Sequence, residues 1–111
     1  MLGMDKKSSR NGTNTVETLI GPRVVIRGDL QFSGGLYVEG KIIGKITAEE
    51  GSAAVLTVSE QGMIEGEVHV PVVVIAGSLH GDIHAGERVE LSPTAKVQGN
   101  VYYKIVEMAG G

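Results

Sequence analysis

Apolar and polar positions alternate along most of this chain. Within residues 36–48 one parity is apolar or glycine, whereas the other parity carries charged residues such as Lys41. The same alternation returns in residues 62–70, 73–85 and 89–101. A period of two is typical of β-strands that bury one face, and no long stretch has the period of a helix. The pattern therefore predicts an all-β protein.

A glycine motif repeats within this alternation. Gly-x-apolar-x-Gly-x-apolar occupies residues 40–46, 62–68 and 77–83, and degenerate copies occupy 24–30 and 95–101. The second glycines of the five units are spaced by 16, 22, 15 and 18 residues; they are Gly28, Gly44, Gly66, Gly81 and Gly99. A strand unit that repeats about every 18 residues without hairpin signals predicts a coil of parallel strands, a β-solenoid.

Alignment of the second glycines places apolar residues in three columns that we expect to form the core. The columns are Ile26, Ile42, Ile64, Leu79 and Val97; Leu30, Ile46, Val68, Ile83 and Val101; and Phe32, Ala48, Val70, Ala85 and Tyr103. We expect the glycines at cramped corners, where an inward side chain would clash. The alternative, a β-sandwich, gives no reason for glycine at one register. We therefore predict a single solenoid of about six windings, with longer corners at 59–62 and 92–95 and an insertion near 49–54.

One stretch looks like a nucleotide site. Gly35, Gly40 and Lys41 reproduce most of the phosphate-binding signature G-x-x-x-x-G-K-S/T. The next residue is Ile42, so the hydroxyl that would bind magnesium is missing. The signature also opens a helix, whereas the β-branched residues that follow favour a strand. We therefore predict no nucleotide binding here.

In order and spacing, the five glycine units resemble those of bactofilins. The resemblance covers about residues 18–109, from TLIGPRVVIRGDLQFSGGLYVEGKIIGKI through GMIEGEV and GSLHGDI to GNVYYKIVEMA. It implies a right-handed parallel β-helix between short flexible termini. It also implies a bacterial cytoskeletal protein that polymerises without nucleotide into non-polar filaments, often on the inner face of the cytoplasmic membrane. Such a protein serves as a scaffold for cell-wall enzymes and cell shape, and is not an enzyme.

Under this interpretation the chain has three parts. We expect a disordered tail in residues 1–15, a bactofilin-like core in 16–109 and a short C-terminal end in 110–111, because the first part is polar and lacks periodicity. The tail contains apolar residues beside a basic cluster: Leu2, Met4, Lys6 and Lys7. Such an arrangement can hold a protein on an anionic membrane surface. The alternative is a solvated tail, since one short apolar patch binds membranes only marginally.

The last apolar segment is the predicted polymerisation interface. It consists of Tyr102, Tyr103, Ile105, Val106 and Met108, which begin another winding without closing it. Stacking on another copy would bury the open apolar core of an uncapped solenoid end and pair its free backbone groups, so we expect an end-to-end homopolymer. The resemblance implies a further winding after residues 107–109, whereas this sequence ends at residue 111. We expect the lack of this further winding to affect assembly through the C-terminal end.

Composition narrows the remaining function classes. The chain contains no Cys and no Trp, so it has neither a disulfide framework nor a thiol nucleophile, and its core is aliphatic. No apolar run reaches the roughly 18 residues of a membrane span, and no secretory signal follows the first residue. The net charge is -3 with mixed signs, which is not the footprint of a nucleic-acid-binding protein. We therefore expect a cytoplasmic protein, with or without peripheral membrane contact.

The histidines suggest a metal site, but only weakly. His80, Asp82 and His84 alternate, so we expect them on one outward face, with His69 beside His84. Alternating ligands on a strand can hold zinc. A solvated face explains the same residues without a metal. We predict no metal site, no cofactor and no catalytic residues.

One alternative function stays open at this point. A left-handed β-helix acyltransferase, or a fragment of one, also coils at about 18 residues per turn. Such enzymes carry an apolar residue at every sixth position. Ile64, Val70 and Ala76 keep this rhythm, but Asp82 breaks it. One Gly-x-apolar-x-Gly unit per winding favours the scaffold.

Overall fold

The computed structural model describes residues 18–108, which form twelve β-strands and no helix. The short strands follow from β-branched and aliphatic residues interrupted by glycine every few positions. The strands are β1 (Thr18–Ile20), β2 (Val25–Arg27), β3 (Leu30–Phe32), β4 (Gly35–Val38), β5 (Lys41–Ile43), β6 (Ile46–Ala48), β7 (Val55–Val58), β8 (Met63–His69), β9 (Val72–Ile75), β10 (Ser78–Leu91), β11 (Lys96–Gln98) and β12 (Val101–Met108). This part of the chain therefore offers no helix long and apolar enough to cross a bilayer.

All strand pairs are parallel, and they build a solenoid with three faces. On the first face β1, β4, β7 and β9 are followed by the C-terminal parts of β10 and β12. The second face contains β2, β5, the start of β8, the start of β10, and β11. The third face contains β3, β6, the end of β8, the middle of β10 and the start of β12.

The number of windings is about five, not the six predicted from the sequence. Six strands lie on the first face, but only five on each of the other two within residues 18–108. Each winding needs one strand on every face. The sixth strand of the first face therefore begins a further winding that the described residues do not close.

The predicted register is confirmed. Ile64 pairs with Ile42 on one side and with Leu79 on the other, and Gly66 pairs with Gly81. On the third face Val68 lies between Ile46 and Ile83. The columns deduced from glycine spacing are therefore the columns of the solenoid.

The interior is a continuous aliphatic core without a buried polar or charged side chain among the described residues. Ile42, Ile64 and Leu79 have no exposed surface at all. Each fully buried Ile, Leu or Val contributes roughly 1.5–3 kcal/mol relative to an exposed one. Stacked apolar columns therefore stabilise this narrow fold, and the sequence has no Cys that could add a disulfide.

The tight corner between the second and third faces depends on glycine. Gly44, Gly66 and Gly81 have φ of 147°, 138° and 139°, a region that disfavours side chains. A Cβ on Gly66 would overlap the carbonyl oxygen of Gly44 in the winding before it. Gly28 has a similar φ of 127°, but its Cβ would meet no atom within 4 Å. At Gly44, Gly66 and Gly81, glycine is therefore required both by the positive φ and by the close approach of the preceding winding. At Gly28 only the positive φ requires it.

The longer corners lie where the sequence predicted them. The 59–62 corner is closed by a hydrogen bond from the Gly62 amide to the Ser59 carbonyl at 2.9 Å, and the 92–95 corner by Ala95 to Ser92 at 3.0 Å. The insertion at 49–54 separates β6 from β7 and contains Gly51 at φ 81°. These corners absorb most of the unequal spacing of the repeats, and an irregularity in β10 between Ala85 and Arg88 absorbs one further residue.

Candidate polymerisation surfaces at the two ends

Within residues 18–108, the first and last windings each present an edge without a strand partner. Among the described strands, β1, β2 and β3 pair only with the second winding, and β11 and β12 pair only with β10. Their outer backbone N–H and C=O groups have no strand partner in this part of the chain. Unpaired strand edges are templates for pairing with another chain. The two ends are therefore the candidate functional surfaces.

At the C-terminal end, the last residues of the core columns are exposed because no further winding among the described residues covers them. Tyr103 continues the inward column of Ala85 and is 48% exposed, and Val106 lies over the fully buried Val89 and is 39% exposed. Val97 and Val101 are half-buried beside them. This end is an apolar surface made of side chains that would be interior if another layer followed.

Two residues of the predicted interface point outward. Tyr102 pairs with His84, and Ile105 pairs with Arg88, both on outward columns. Tyr102 is 52% and Ile105 is 55% exposed. Met108 is in register with Leu91 at the last described position of β12. The sequence grouped these residues as one apolar segment, whereas the structure divides the segment into core-end residues and outer-surface residues.

The division arises from a change of parity within β12. Tyr103 and Val106 lie over Ala85 and Val89, so both point inward although three positions separate them. The chain passes from the third face to the first between them, and its register with β10 shifts by one residue there. A shift of one residue moves every following side chain to the opposite face. No simple alternation in the sequence identifies that shift.

The N-terminal end has apolar residues that sequence analysis missed. Leu19 is 58%, Val24 is 42% and Val25 is 55% exposed. The signal in the sequence was weak, because the outward column of Val25 continues with Lys41, Met63, Ser78 and Lys96, of which Met63 is also apolar. Three exposed apolar residues in one winding make this end a second candidate contact surface.

The outer edge of the C-terminal end is polar. The Arg88 Nε–H donates to the Glu90 Oε2 at 2.7 Å, and this hydrogen bond and the Glu90 charge raise the pKa of the Arg88 guanidinium. A weaker ion pair joins Lys41 and Glu65 on the second face at 3.8 Å. The apolar core end therefore has a charged border on the first face.

The histidines do not share one face as predicted. The chain turns at Gly81, so His80 pairs with Glu65 on the second face while His84 pairs with His69 on the third. The expected neighbours His69 and His84 do stack, with ring centroids 4.4 Å apart and an interplanar angle of 5°. No group of three potential metal ligands lies together in residues 18–108.

The remaining predicted residues lie elsewhere. Gly35 is in β4 and Lys41 begins β5, so a strand rather than a helix follows the phosphate-loop-like sequence. The tail residues Leu2, Met4, Lys6 and Lys7 lie outside the described residues. The structural glycine Gly99 has φ of 133° and its Cβ would overlap the Gly81 carbonyl oxygen.

The sequence is similar to those of known proteins of one family. Residues 18–111 match the family model for bactofilins, described as polymer-forming cytoskeletal. The bactofilin BacO of Myxococcus xanthus is 31% identical over 102 residues, which are 92% of this chain and 78% of BacO. BacP of the same organism is 29% identical over 89 residues, which are 80% of this chain and 35% of BacP.

The fold is also similar to that of a solved structure. The crystal structure of a mutant bactofilin from Thermus thermophilus superposes with a TM-score of 0.76 at 28% sequence identity. The superposition covers 86% of this chain and all of the other. These matches favour the cytoskeletal interpretation over the acyltransferase alternative.

Proposed function

This chain belongs to the bactofilin family of polymer-forming cytoskeletal proteins, and from that premise we propose that its copies join end to end through the two open windings. Polymerisation in this proposal needs neither nucleotide nor metal. The resulting filament is the cytoskeletal scaffold.

The observation that carries the proposal is the open core at the C-terminal end. Tyr103 and Val106 continue the interior columns and yet remain 48% and 39% exposed. A second copy would cover them and pair the free edge of β12, so one contact supplies both apolar burial and backbone hydrogen bonds. Leu19, Val24 and Val25 give the other end a similar apolar character.

The two ends differ, so the symmetry of the junctions determines filament polarity. If each end binds the same end of another copy, both junctions are isologous and the filament is non-polar. If the C-terminal end binds the N-terminal end, the filament is polar. We propose the non-polar arrangement, which the bactofilin resemblance implies.

The test is assembly of the purified protein with and without ATP and EDTA. Light scattering and negative-stain electron microscopy at micromolar concentration should reveal filaments in all conditions. Moderate salt should not dissolve them, because the contact is mainly apolar and hydrogen-bonded. A strictly monomeric protein, or assembly only with ATP, would contradict the proposal.

We further propose that the filament lies on the inner face of the cytoplasmic membrane and positions peptidoglycan enzymes, with an effect on cell shape. The membrane part is supported by the apolar residues Leu2 and Met4 beside Lys6 and Lys7. The cell-wall part is supported by family resemblance alone. Imaging a fluorescent fusion together with newly made cell wall tests it, since a scaffold of these enzymes should mark the sites of synthesis.

A further inference from the structure

Three aromatic rings form a continuous stack on the outside of the third face. His69 in β8, His84 in β10 and Tyr102 in β12 occupy one outward column in successive windings. The ring centroids of His69 and His84 are 4.4 Å apart with an interplanar angle of 5°. Those of His84 and Tyr102 are 4.7 Å apart with an angle of 12°. Parallel strand spacing of about 4.8 Å places identical column positions at stacking distance.

The stack ends at the C-terminal surface. Tyr102 stacks on His84 with one side of its ring, is 52% exposed, and lies in the last described strand. Offset or parallel stacking on His84, which itself stacks on His69, favours one orientation of the Tyr102 ring. Tyr102 is therefore a pre-positioned aromatic surface at the edge of the core end, and tyrosine is enriched among residues that dominate protein contacts.

We infer that Tyr102 contacts a second copy of this chain across the C-terminal junction, and that the two stacked histidines make this junction weaken when they become protonated. The inference rests on the proposed end-to-end assembly and adds a regulatory property to the same surface. The partner is the same end of another copy, which offers an equally flat, apolar and aromatic surface.

The acid sensitivity follows from geometry. Neutral imidazoles stack without charge, whereas two imidazolium rings with centroids at 4.4 Å carry like charges at close range. Glu67 can balance one of them, because its Oε1 lies 3.2 Å from the His69 Nε2. His84 lies between His69 and Tyr102 and has no such carboxylate partner within hydrogen-bond distance among the described residues.

The surroundings contain few other groups that titrate near neutrality. Thr47 precedes His69 in the same column and is uncharged. Asp82, at the corner before His84, accepts hydrogen bonds from the backbone and side-chain amides of Asn100, both at 3.4 Å. Carboxylates ordinarily titrate near pH 4 and imidazoles near pH 6.5, so assembly between pH 7.5 and 5.5 reports mainly on histidine. The sequence contains three histidines, and the third, His80, lies outside the stack on the second face.

The experiment measures the critical concentration for assembly of the full chain at pH 7.5 and pH 5.5. We expect it to rise at least about fivefold at pH 5.5 for the wild type. The free chain can relieve the repulsion by separating the two charged rings, whereas the junction needs the intact stack that holds Tyr102 in place. His84→Gln and the double variant His69→Gln/His84→Gln should lose this pH dependence. His80→Gln is the matched control, and it should keep both the wild-type critical concentration and the pH dependence.

Two further variants test the contact itself. Tyr102→Phe keeps a ring on the stack and should assemble like the wild type, whereas Tyr102→Ala should raise the critical concentration at pH 7.5. Circular dichroism confirms that each variant is folded.

The outcomes separate this inference from the proposed function. The inference is wrong if the pH dependence survives both the His84→Gln and the double substitution. It is also wrong if His80→Gln abolishes the pH dependence. Either result leaves end-to-end assembly intact. Equal assembly of Tyr102→Ala and wild type overturns the contact. A wild type without filaments at pH 7.5 overturns the proposed function, and the inference with it.

Discussion

Gly81 lies directly over Gly66, and a Cβ on Gly81 would overlap the Gly66 carbonyl oxygen. The same relationship joins Gly66 to Gly44 and Gly99 to Gly81. Each glycine therefore meets two requirements, a positive φ for the corner and the absence of a side chain for close stacking. Gly28 in the first described winding meets only the requirement for a positive φ, since a Cβ there would meet no atom within 4 Å.

Substitution of the stacked glycines should destabilise the fold strongly. We expect Gly66→Val to lower the free energy of unfolding by about 1–3 kcal/mol or more, because the added side chain overlaps backbone atoms. Gly28→Ala should cost only the backbone strain, about 1–2 kcal/mol. Gly21→Ala, at a position with open space and no positive φ, is the control and should change stability by less than about 0.5 kcal/mol. Thermal denaturation checks the expected ranking, in which Gly66→Val lowers the melting temperature most and Gly21→Ala least. An unchanged melting temperature for Gly66→Val would contradict the stacking argument.

Val106→Lys should block the C-terminal junction. A lysine at this inward position would place a charge over the buried Val89, where a second copy would have to desolvate it. With the other end still free, we expect dimers instead of filaments. Ile105→Lys should have a smaller effect because Ile105 points outward, and Glu107→Lys on the same strand is the control. Size-exclusion chromatography with light scattering gives the mass; filaments of Val106→Lys would exclude this junction.

The N-terminal end should behave in the same way. Val24→Lys introduces a charge on an exposed apolar residue of the first winding, and we expect dimers joined through the C-terminal ends. Combined with Val106→Lys, it should leave monomers. The monomer should retain the β-sheet circular dichroism spectrum of the wild type. Filaments of the double variant would show that assembly uses neither end.

Membrane association, if it occurs through the tail, should disappear when residues 2–10 are deleted. The remaining chain should keep its fold and its ability to assemble, because the described strands begin at Thr18. Co-sedimentation with vesicles containing anionic lipid measures the effect. Lys6→Gln/Lys7→Gln retains the length of the tail and should weaken binding by roughly 2 kcal/mol, about 1 kcal/mol per basic residue. A full chain that never co-sediments with these vesicles would leave the tail without this role.

The sequence by itself determined the fold class and the register. Alternation requires strands with one buried face, and a glycine at one position of every unit fixes which residues lie over one another. Ile42, Ile64 and Leu79 could be placed in one column for this reason, and they pair as expected. The period also marked the insertion at 49–54 and the long corners, because an insertion of several residues cannot be accommodated within a paired strand.

Only the tertiary structure decided which faces and ends these columns occupy. His80 and His84 have the same parity in the sequence but lie on different faces, because the corner at Gly81 turns the chain between them. Tyr103 and Val106 have different parity but both point inward, because β12 passes from the third face to the first between them and its register with β10 shifts by one residue. Alternation describes the direction of a side chain relative to its own strand, whereas the direction of the strand itself depends on backbone angles at each corner and on the winding packed beneath it.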